Sequence, residues 1–274
     1  EEQEEGGRGG GGHHRNIETV LVLGSGGLEI GQAGEFDYAG TQCLKSLRAR
    51  GIRTILVNPN VASVQTMKGT ADIVYFVPLD FDSVRDVMTK HTDIDGILLS
   101  FGGQTALNVG LELELRGVLK QLDVQVLGTS ISGIKMTEDR KLFSNMLARL
   151  HQPIATSYVV DNMDDALARA KEIGYPVLAR RAYALGGLGS AFADTPKELA
   201  HIFTLATASD DPNGATPQVI LDQSLRGWKE IEYDVMRDHF GNTIVICNME
   251  NVDPVGVHTG ESMVIAPSQT LDDY

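Results

Sequence analysis

The chain has 274 residues, 42% of them hydrophobic and 22% charged, enough to bury the cores of one large or two modest globular domains. Its formal net charge of −14 excludes a general nucleic-acid or anionic-membrane surface, and no apolar run approaches the roughly 20 residues of a membrane span. Cys43 and Cys247 form no metal or redox motif, and the acidic N-terminal stretch is unlike a signal peptide. A cytoplasmic protein without nucleic-acid or membrane partners is therefore expected.

Residues 1–16 are rich in Glu and then in Gly, a composition that cannot bury a core. They predict a flexible linker or tag. His13 and His14 could bind a metal, but a solvated linker is the favoured interpretation of this stretch.

A βα pattern begins at Ile17. An apolar strand at residues 19–23 leads into a glycine-rich loop, and a helix at about 35–50 and a strand at 52–57 follow. This order predicts a Rossmann-like domain. However, Glu29 stands where a dinucleotide motif has its third glycine, and Asn58 stands where it has an acidic ribose ligand. A nicotinamide cofactor is therefore not expected.

The alternation of strands and helices continues to about residue 128. Strands are predicted at 73–79, 96–101 and 124–128, with one helix from about 82 and another that follows Thr105 and reaches about Lys120. Strands separated by helices of this length imply a parallel sheet. The loops 24–27 and 102–105 are then expected at the carboxyl ends of strands, where such sheets bind ligands.

The pattern changes near Thr137. Residues 137–139 are interpreted as the acidic first turn of an amphipathic helix, and a domain boundary is placed there. A helix at about 164–173 and another from Thr195 follow. Strands are predicted at 175–179, 190–193, 218–221, 230–237 and 243–248. Because the later strands follow one another directly, this half is expected to be α+β with antiparallel pairing.

A candidate phosphate site lies between two of these strands, where Arg180 is followed by Gly186, Gly187 and Gly189. Glycines let backbone N–H groups converge on an anion, and the planar fork of an arginine suits phosphate oxygens. By itself a Gly-Gly-x-Gly sequence is more often a flexible hairpin, by about two to one. The phosphate interpretation therefore needs support from the rest of the chain.

Ordered blocks of sequence supply that support. They are residues 23–28 (LGSGGL), 30–38 (IGQAGEFDY), 101–108 (FGGQTALN), 137–140 (TEDR), 184–189 (ALGGLG), 227–230 (GWKE), 248–251 (NMEN), 256–260 (GVHTG) and 266–270 (APSQT). Together they resemble the large, synthetase component of carbamoyl phosphate synthetase, in the N-terminal half that makes carboxyphosphate.

The resemblance implies an α/β fold, in which a Rossmann-like pre-ATP-grasp domain with a parallel sheet precedes an incomplete α+β ATP-grasp domain. It places the pre-ATP-grasp domain at residues 17–136, a hinge helix and ATP-grasp lid subdomain at 137–228, and the start of a truncated catalytic lobe at 229–274. The family's Mg²⁺ ligands lie further along than Tyr274, so no metal ligand is assigned. The chain alone is therefore expected to bind ATP weakly and to be inactive.

The resemblance also implies the chemistry and the partners. In this family MgATP, with Mn²⁺ as an alternative ion, phosphorylates bicarbonate to carboxyphosphate, and ammonia from a glutaminase domain or subunit converts this to carbamate. A second synthetase half then forms carbamoyl phosphate for pyrimidine or arginine synthesis. The full-length enzyme is expected to be an oligomer. The pathway, the effectors and the attachment of the glutaminase stay open.

Site residues carry over from the family one by one. Arg140 and Arg180 match phosphate-side arginines with catalytic roles, and Gly186 and Gly187 match the glycine loop over the phosphates. The remaining ATP-binding positions are Gln223, Leu225, Glu230, Gly256, Val257 and His258. Bacterial members carry Glu at the position of Gln223, where an amide can still form hydrogen bonds but carries no charge.

Simpler interpretations exist for several of these residues. Without the resemblance, Arg140 is a surface partner of a neighbouring carboxylate, Glu230 an outward strand residue and His258 an ordinary loop histidine. Two other functions also stay open. One is a different ATP-grasp ligase that uses bicarbonate, similar to biotin carboxylase, and the other is a nucleotide-binding or assembly module without chemistry.

Overall fold

The computed structural model describes residues 16–28, 31–181, 191–207, 219–257 and 262–271, and it describes the backbone but not the side chains of Arg140, Lys141 and Arg181. The chain divides into two compact units, Glu1–Phe143 and Ser144–Tyr274. Each unit has its own sheet structure and its own hydrophobic core.

The first unit is built on a five-stranded parallel sheet. Its strands are β1 (Thr19–Leu23), β2 (Arg53–Val57), β3 (Ile73–Tyr75), β4 (Gly96–Leu98) and β5 (Gln125–Leu127). They lie in the order β3-β2-β1-β4-β5. All of β1 and four of the five residues of β2 are buried, as expected for parallel strands covered on both faces. The predicted Rossmann-like sheet is confirmed.

Helices connect these strands. They are α1 (Ala39–Ala49), α2 (Phe81–Lys90), α3 (Gly103–Leu115), α4 (Val118–Gln121) and α5 (Ile131–Glu138), with a π-helix at Ala33–Tyr38 and a 3-10 turn at Val64–Thr66. The helix predicted at 35–50 is therefore two segments. The helix predicted to reach Lys120 ends at Leu115, because Gly117 adopts a left-handed conformation with φ of 73° before α4 begins.

The prediction of a helix start at Thr137 is wrong. Thr137 lies inside α5, which is capped by Ser130, and its hydroxyl donates back to Gly133 O at 3.0 Å. The next helix, α6 (Arg140–Arg149), begins after Asp139. Asp139 Oδ1 accepts a hydrogen bond from Leu142 N at 2.9 Å, so Asp139 is the cap of α6 rather than a residue of its first turn.

The second unit contains two antiparallel sheets. In the first, β6 (Ser157–Val160), β7 (Val177–Arg181), β8 (Ala191–Ala193) and β9 (Val219–Gln223) follow the order β6-β9-β7-β8. Helices α7 (Met163–Ile173) and α8 (Pro196–Thr207) pack on one face of it. The core between them is made by side chains that alternate along the strands, namely Val160, Val177, Ala179, Val219 and Leu221.

The other sheet is formed by β10 (Ile231–Arg237), β11 (Thr243–Asn251) and β12 (Val264–Ile265). β10 and β11 are joined by a turn in which Asp238 Oδ1 accepts hydrogen bonds from Phe240 N and Asn242 N. The predicted antiparallel pairing of the second half is confirmed. In neither unit does a described helix combine the length and the apolar character needed to cross a bilayer.

Candidate functional site

The glycine loop after β1 is filled by the protein's own side chains. Gln65 is fully buried, and its Oε1 accepts hydrogen bonds from Ser25 N at 3.2 Å and from Asn58 Nδ2 at 3.0 Å. A Cβ on Gly24 would lie 2.5 Å from the same oxygen, so the close approach requires glycine. The Gln65 amide therefore uses a loop N–H that a dinucleotide phosphate would need.

Arg180 is held by an acidic side chain on the neighbouring strand. It lies on β7, and its Nε donates to Asp222 Oδ2 on β9 at 2.6 Å. The other oxygen of Asp222 accepts from Ser157 Oγ on β6, also at 2.6 Å. The Arg180 side chain is 27% exposed and that of Asp222 is 15% exposed, so the pair is partly buried. The ion pair fixes the guanidinium at one edge and leaves its two terminal nitrogens outside this contact.

Gln223 is the last residue of β9 and lies on the opposite face of the sheet from Arg180. Gln223 pairs with Val177, whereas Arg180 pairs with Ile220 three positions away, and strand side chains alternate between faces. Gln223 Oε1 accepts a hydrogen bond from Thr156 N at 3.1 Å, and its backbone N–H donates to Thr156 O at 2.8 Å. The Gln223 side chain thus holds Thr156, the residue just before β6, by a hydrogen bond.

We expect Gln223→Glu to leave the fold intact, because a carboxylate oxygen can accept the same hydrogen bond from Thr156 N. If Gln223 also contacts the ribose or base of a nucleotide, the variant should change KM for ATP more than kcat. Steady-state kinetics of the complete gene product at varied ATP concentration tests this. Gln223→Leu is the comparison variant, because its side chain cannot accept the hydrogen bond from Thr156 N. A large fall in kcat at constant KM would place the residue at the reacting phosphate instead.

Glu230 stands just before β10 and presents an unsatisfied acceptor. Among the described residues, its Oε2 is buried without a hydrogen-bond partner, and so is Oδ1 of Asn251 on β11. The two residues are neighbours, because Asn251 N donates to Glu230 O at 3.0 Å. Asn251 is 8% exposed, and its Nδ2 donates to Glu232 Oε1 at 2.6 Å. Since buried acceptors are normally satisfied, this corner of the sheet can receive a hydrogen-bond donor such as a ribose hydroxyl, or a cation.

An open groove of about 620 Å³ lies beside these acceptors, and Trp228, Lys229, Glu250 and Asn251 contribute to its lining. One wall of the groove is held by Glu250. Its carboxylate accepts hydrogen bonds from Thr270 Oγ1 at 2.5 Å and from Gln269 N and Thr270 N, both at 3.1 Å. These hydrogen bonds, chiefly the one from Thr270 Oγ1, hold the pKa of the Glu250 carboxyl below its usual range, although desolvation acts in the opposite direction.

This lowered pKa predicts a local loss of order in acid. Because the folded-state pKa of Glu250 is depressed, its stabilisation is present above the ordinary glutamate pKa of about 4.3 and is lost as the pH falls through the folded-state value. Hydrogen exchange at Gln269 and Thr270, corrected for intrinsic rates, should show protection falling over that acidic range. In Glu250→Gln, whose side chain does not titrate, the protection should be nearly independent of pH. Glu172→Gln, an exposed change on α7, is the control; an unchanged pH profile in Glu250→Gln would contradict the role.

The remaining site residues are placed as follows. Leu225 is half-buried, and its carbonyl accepts from Trp228 N at 3.0 Å in a turn. Gly256 has φ of 100°, a left-handed conformation that favours glycine, and Val257 N donates to Pro254 O at 3.3 Å. The backbone of Arg140 begins α6. Gly186, Gly187 and His258 lie outside the described residues, as does the Arg140 side chain.

Two residues of this region were missed by sequence reasoning. Asp222 is one, and the signal for it was weak, because one acidic residue in the strand VILDQ is compatible with an ordinary exposed position. Asn251 is the other, although it is the last residue of the block 248–251, one of the sequence blocks on which the family resemblance rests. Among the described residues no three His, Cys, Asp or Glu side chains are grouped as a metal site requires.

Comparison with family profiles matches nearly the whole chain. The profile for "Carbamoyl phosphate synthase preATP-grasp domain" matches residues 16–136, and the one for "Carbamoyl-phosphate synthase L chain, ATP binding domain" matches residues 139–274.

Similar whole proteins are much longer than this chain. The chain is 54% identical over 254 residues to the multifunctional protein CAD of Squalus acanthias, covering 93% of the chain and 11% of the relative. It is 54% identical over 262 residues to the multifunctional protein URA2 of Saccharomyces cerevisiae, again 11% of the relative. It is 52% identical over 259 residues to the arginine-specific large chain of carbamoyl phosphate synthase of Eremothecium gossypii, 23% of that protein.

Solved structures show the same fold at low sequence identity. The biotin carboxylase domain of Hydrogenobacter thermophilus 2-oxoglutarate carboxylase, in complex with MgADP, ADP and bicarbonate, matches with a TM-score of 0.65 at 19% identity, covering 86% of this chain and 51% of that one. N5-carboxyaminoimidazole synthetase of Staphylococcus aureus with ADP matches with a TM-score of 0.61 at 15% identity, covering 85% and 54%. The two adjacent profiles and the relatives with about half of their aligned residues identical show that this chain belongs to the carbamoyl-phosphate synthase large-chain family.

Proposed function

We propose that this chain supplies the ATP-binding part of a carbamoyl phosphate synthetase that phosphorylates bicarbonate to carboxyphosphate. The observation that carries the proposal is the order of the two family domains along the chain, with a partly buried arginine on the strand that leads to the glycine stretch. This favours carbamoyl phosphate synthesis over a biotin carboxylase-like activity, because the solved biotin carboxylase is only 19% identical and supports the fold alone.

In the proposed reaction a bicarbonate oxygen attacks the γ-phosphorus of ATP, and negative charge spreads over the phosphoryl oxygens in the transition state. Arg180 and Arg140 are proposed to stabilise that charge, with the backbone N–H groups around Gly186 and Gly187. Gln223, Leu225, Glu230, Gly256, Val257 and His258 are proposed to hold the nucleoside and the phosphate tail. The buried acceptor on Glu230 fits a ribose hydroxyl, which donates a hydrogen bond.

Mg²⁺ is proposed as the ion that accompanies ATP, and Mn²⁺ stays an alternative. The described residues contain no cluster that fits a metal, so we derive no step through the ion. When bound, it would neutralise charge on the β- and γ-phosphates. We propose that the chain's own residues, chiefly Arg180, orient the phosphate.

The partners and the organisation of the protein are part of the proposal. Ammonia from a glutaminase domain or subunit would convert carboxyphosphate to carbamate, and a second synthetase half would complete carbamoyl phosphate in an oligomeric enzyme. Within this chain we propose a linker or tag at residues 1–16, a pre-ATP-grasp domain at 17–136, a hinge helix and lid subdomain at 137–228 and the start of the catalytic lobe at 229–274. We also propose that the protein is cytoplasmic.

The test is phosphate release by the complete gene product with MgATP, measured with and without bicarbonate and in the absence of ammonia. We expect bicarbonate to stimulate ATP hydrolysis, because carboxyphosphate decomposes in water and returns bicarbonate and phosphate. ATP binding without any stimulated hydrolysis would favour the nucleotide-binding or assembly module. Stimulation that requires biotin would favour the biotin carboxylase-like alternative.

A further inference from the structure

Three polar side chains share the face of the first sheet of the second unit that α7 and α8 do not cover. They are Ser157 on β6, Arg180 on β7 and Asp222 on β9. Asp222 lies directly across from Ser157 on one side and from Leu178, two residues before Arg180, on the other. Their neighbours in the strands, such as Leu221 and Ala179, point into the core on the opposite face.

The hydrogen bonds within this group converge on Asp222, which lies between Ser157 and Arg180. Ser157 Oγ donates to Asp222 Oδ1 and Arg180 Nε donates to Asp222 Oδ2, each at 2.6 Å. The serine therefore fixes the rotation of the carboxyl group, and the carboxyl group fixes one edge of the guanidinium. A planar guanidinium held at Nε has the directions of its terminal N–H groups determined as well.

The ion pair is poorly explained as a stabiliser of the sheet. The apolar core of this sheet lies on its other face, and a partly exposed ion pair contributes little to stability. The negative charge of Asp222 would also weaken the attraction between Arg180 and a phosphate. If Arg180 only attracted anions, pairing it with Asp222 would therefore be a disadvantage. The gain from Asp222 is orientation, because a pre-oriented arginine loses less side-chain freedom when it binds.

We propose that Asp222 is a positioning residue for Arg180 during phosphoryl transfer, and that Ser157 sets the orientation of Asp222. The inference rests on the proposed function. Asp222 acts through Arg180 and contacts no substrate itself.

The experiment is a double-mutant cycle in the complete gene product, read as kcat/KM for ATP in bicarbonate-dependent phosphate release. Asp222→Ala should lower kcat/KM by about 10- to 100-fold, by analogy with residues that orient the side chains of metal ligands. In an Arg180→Ala background the same change should alter kcat/KM by less than about 3-fold, because nothing is left to position. Single-turnover phosphate release measures the slow variants. Asp194→Ala, which removes the exposed ion pair with Arg226, is the matched control and should leave kcat/KM unchanged.

The fold is checked by thermal unfolding of each variant. Should Asp222→Ala fail to fold, the cycle is run with Asp222→Asn, which keeps the shape but removes the charge and should lower kcat/KM by about 3- to 10-fold. Activity of the folded Asp222 variant within 2-fold of the parent overturns the proposal, and so does a loss that persists undiminished in the Arg180→Ala background. A full loss with Arg180→Ala and none with Asp222→Ala leaves the proposed function standing while it removes this inference. Full activity in Arg180→Ala overturns the inference and the phosphate role of Arg180 together.

Discussion

Replacing Arg180 with alanine in the complete gene product should remove most of the bicarbonate-dependent ATP hydrolysis while the fold stays intact. A lost donor to a charge that develops in the transition state costs on the order of 2–4 kcal/mol, which corresponds to about 30- to 1,000-fold in rate. Arg180 is suited to such a role because its Nε is held by Asp222 while its terminal nitrogens lie outside that contact. Phosphate release with saturating bicarbonate measures the effect.

The matched control is Arg169→Ala. Arg169 is also an arginine in ion pairs, with Asp165 and Glu172, but it lies on α7, which packs on the opposite face of the sheet. We expect the Arg169 variant to keep the activity of the parent. If Arg180→Ala stays within a few-fold of the parent at equal thermal stability, Arg180 does not contact the transferred phosphoryl group.

The parts of the fold that were predictable are those that depend on local sequence. β1 reads TVLVL and is buried along its whole length, so a continuous apolar run was sufficient to identify a central parallel strand. Helices α2 and α7 were likewise predicted from their apolar periodicity, from about residue 82 and at about 164–173. The structure adds their caps, Asp80 and Asn162, whose side chains accept N–H hydrogen bonds from Ser83 and Asp165.

The parts that were missed depend on contacts between residues distant in the chain. Gln65 fills the loop at Ser25 from 40 residues away, and Arg180 meets Asp222 across 42 residues. No periodicity reports such pairs. The start assigned at Thr137 failed for a different reason, since a cap sequence is equally compatible with the end of one helix and the start of the next.

In the candidate site, too, residue identities were predicted but their contacts were not. Motif resemblance named Arg180 and Glu230, but it gave neither the ion pair that orients the arginine nor the unsatisfied acceptor on Asn251 beside Glu230. For Gln223 the resemblance suggested a nucleotide contact, whereas the structure places its side-chain oxygen on Thr156 N. A motif records which residue types occur together, and the geometry of their hydrogen bonds requires the tertiary structure.

The largest effect on stability is expected for Gly102→Ala at the start of α3. A Cβ at Gly102 would lie 2.6 Å from Gly24 O and 2.4 Å from the Cβ of Ala106, and both neighbours are too firmly packed to move freely. The end of β1 and the start of α3 would have to separate, and overpacking of this kind typically costs about 1–3 kcal/mol. Because a backbone oxygen is one of the clashing atoms, we expect the upper part of that range.

Gly27→Ala is the matched control, since a Cβ at Gly27 meets nothing within 4 Å. This substitution should leave the free energy of unfolding nearly unchanged. Denaturant unfolding gives the difference, and hydrogen exchange of residues 19–23 locates it in the first unit. Equal stability of the two variants would mean that the approach of Gly102 to the end of β1 is looser than these distances indicate.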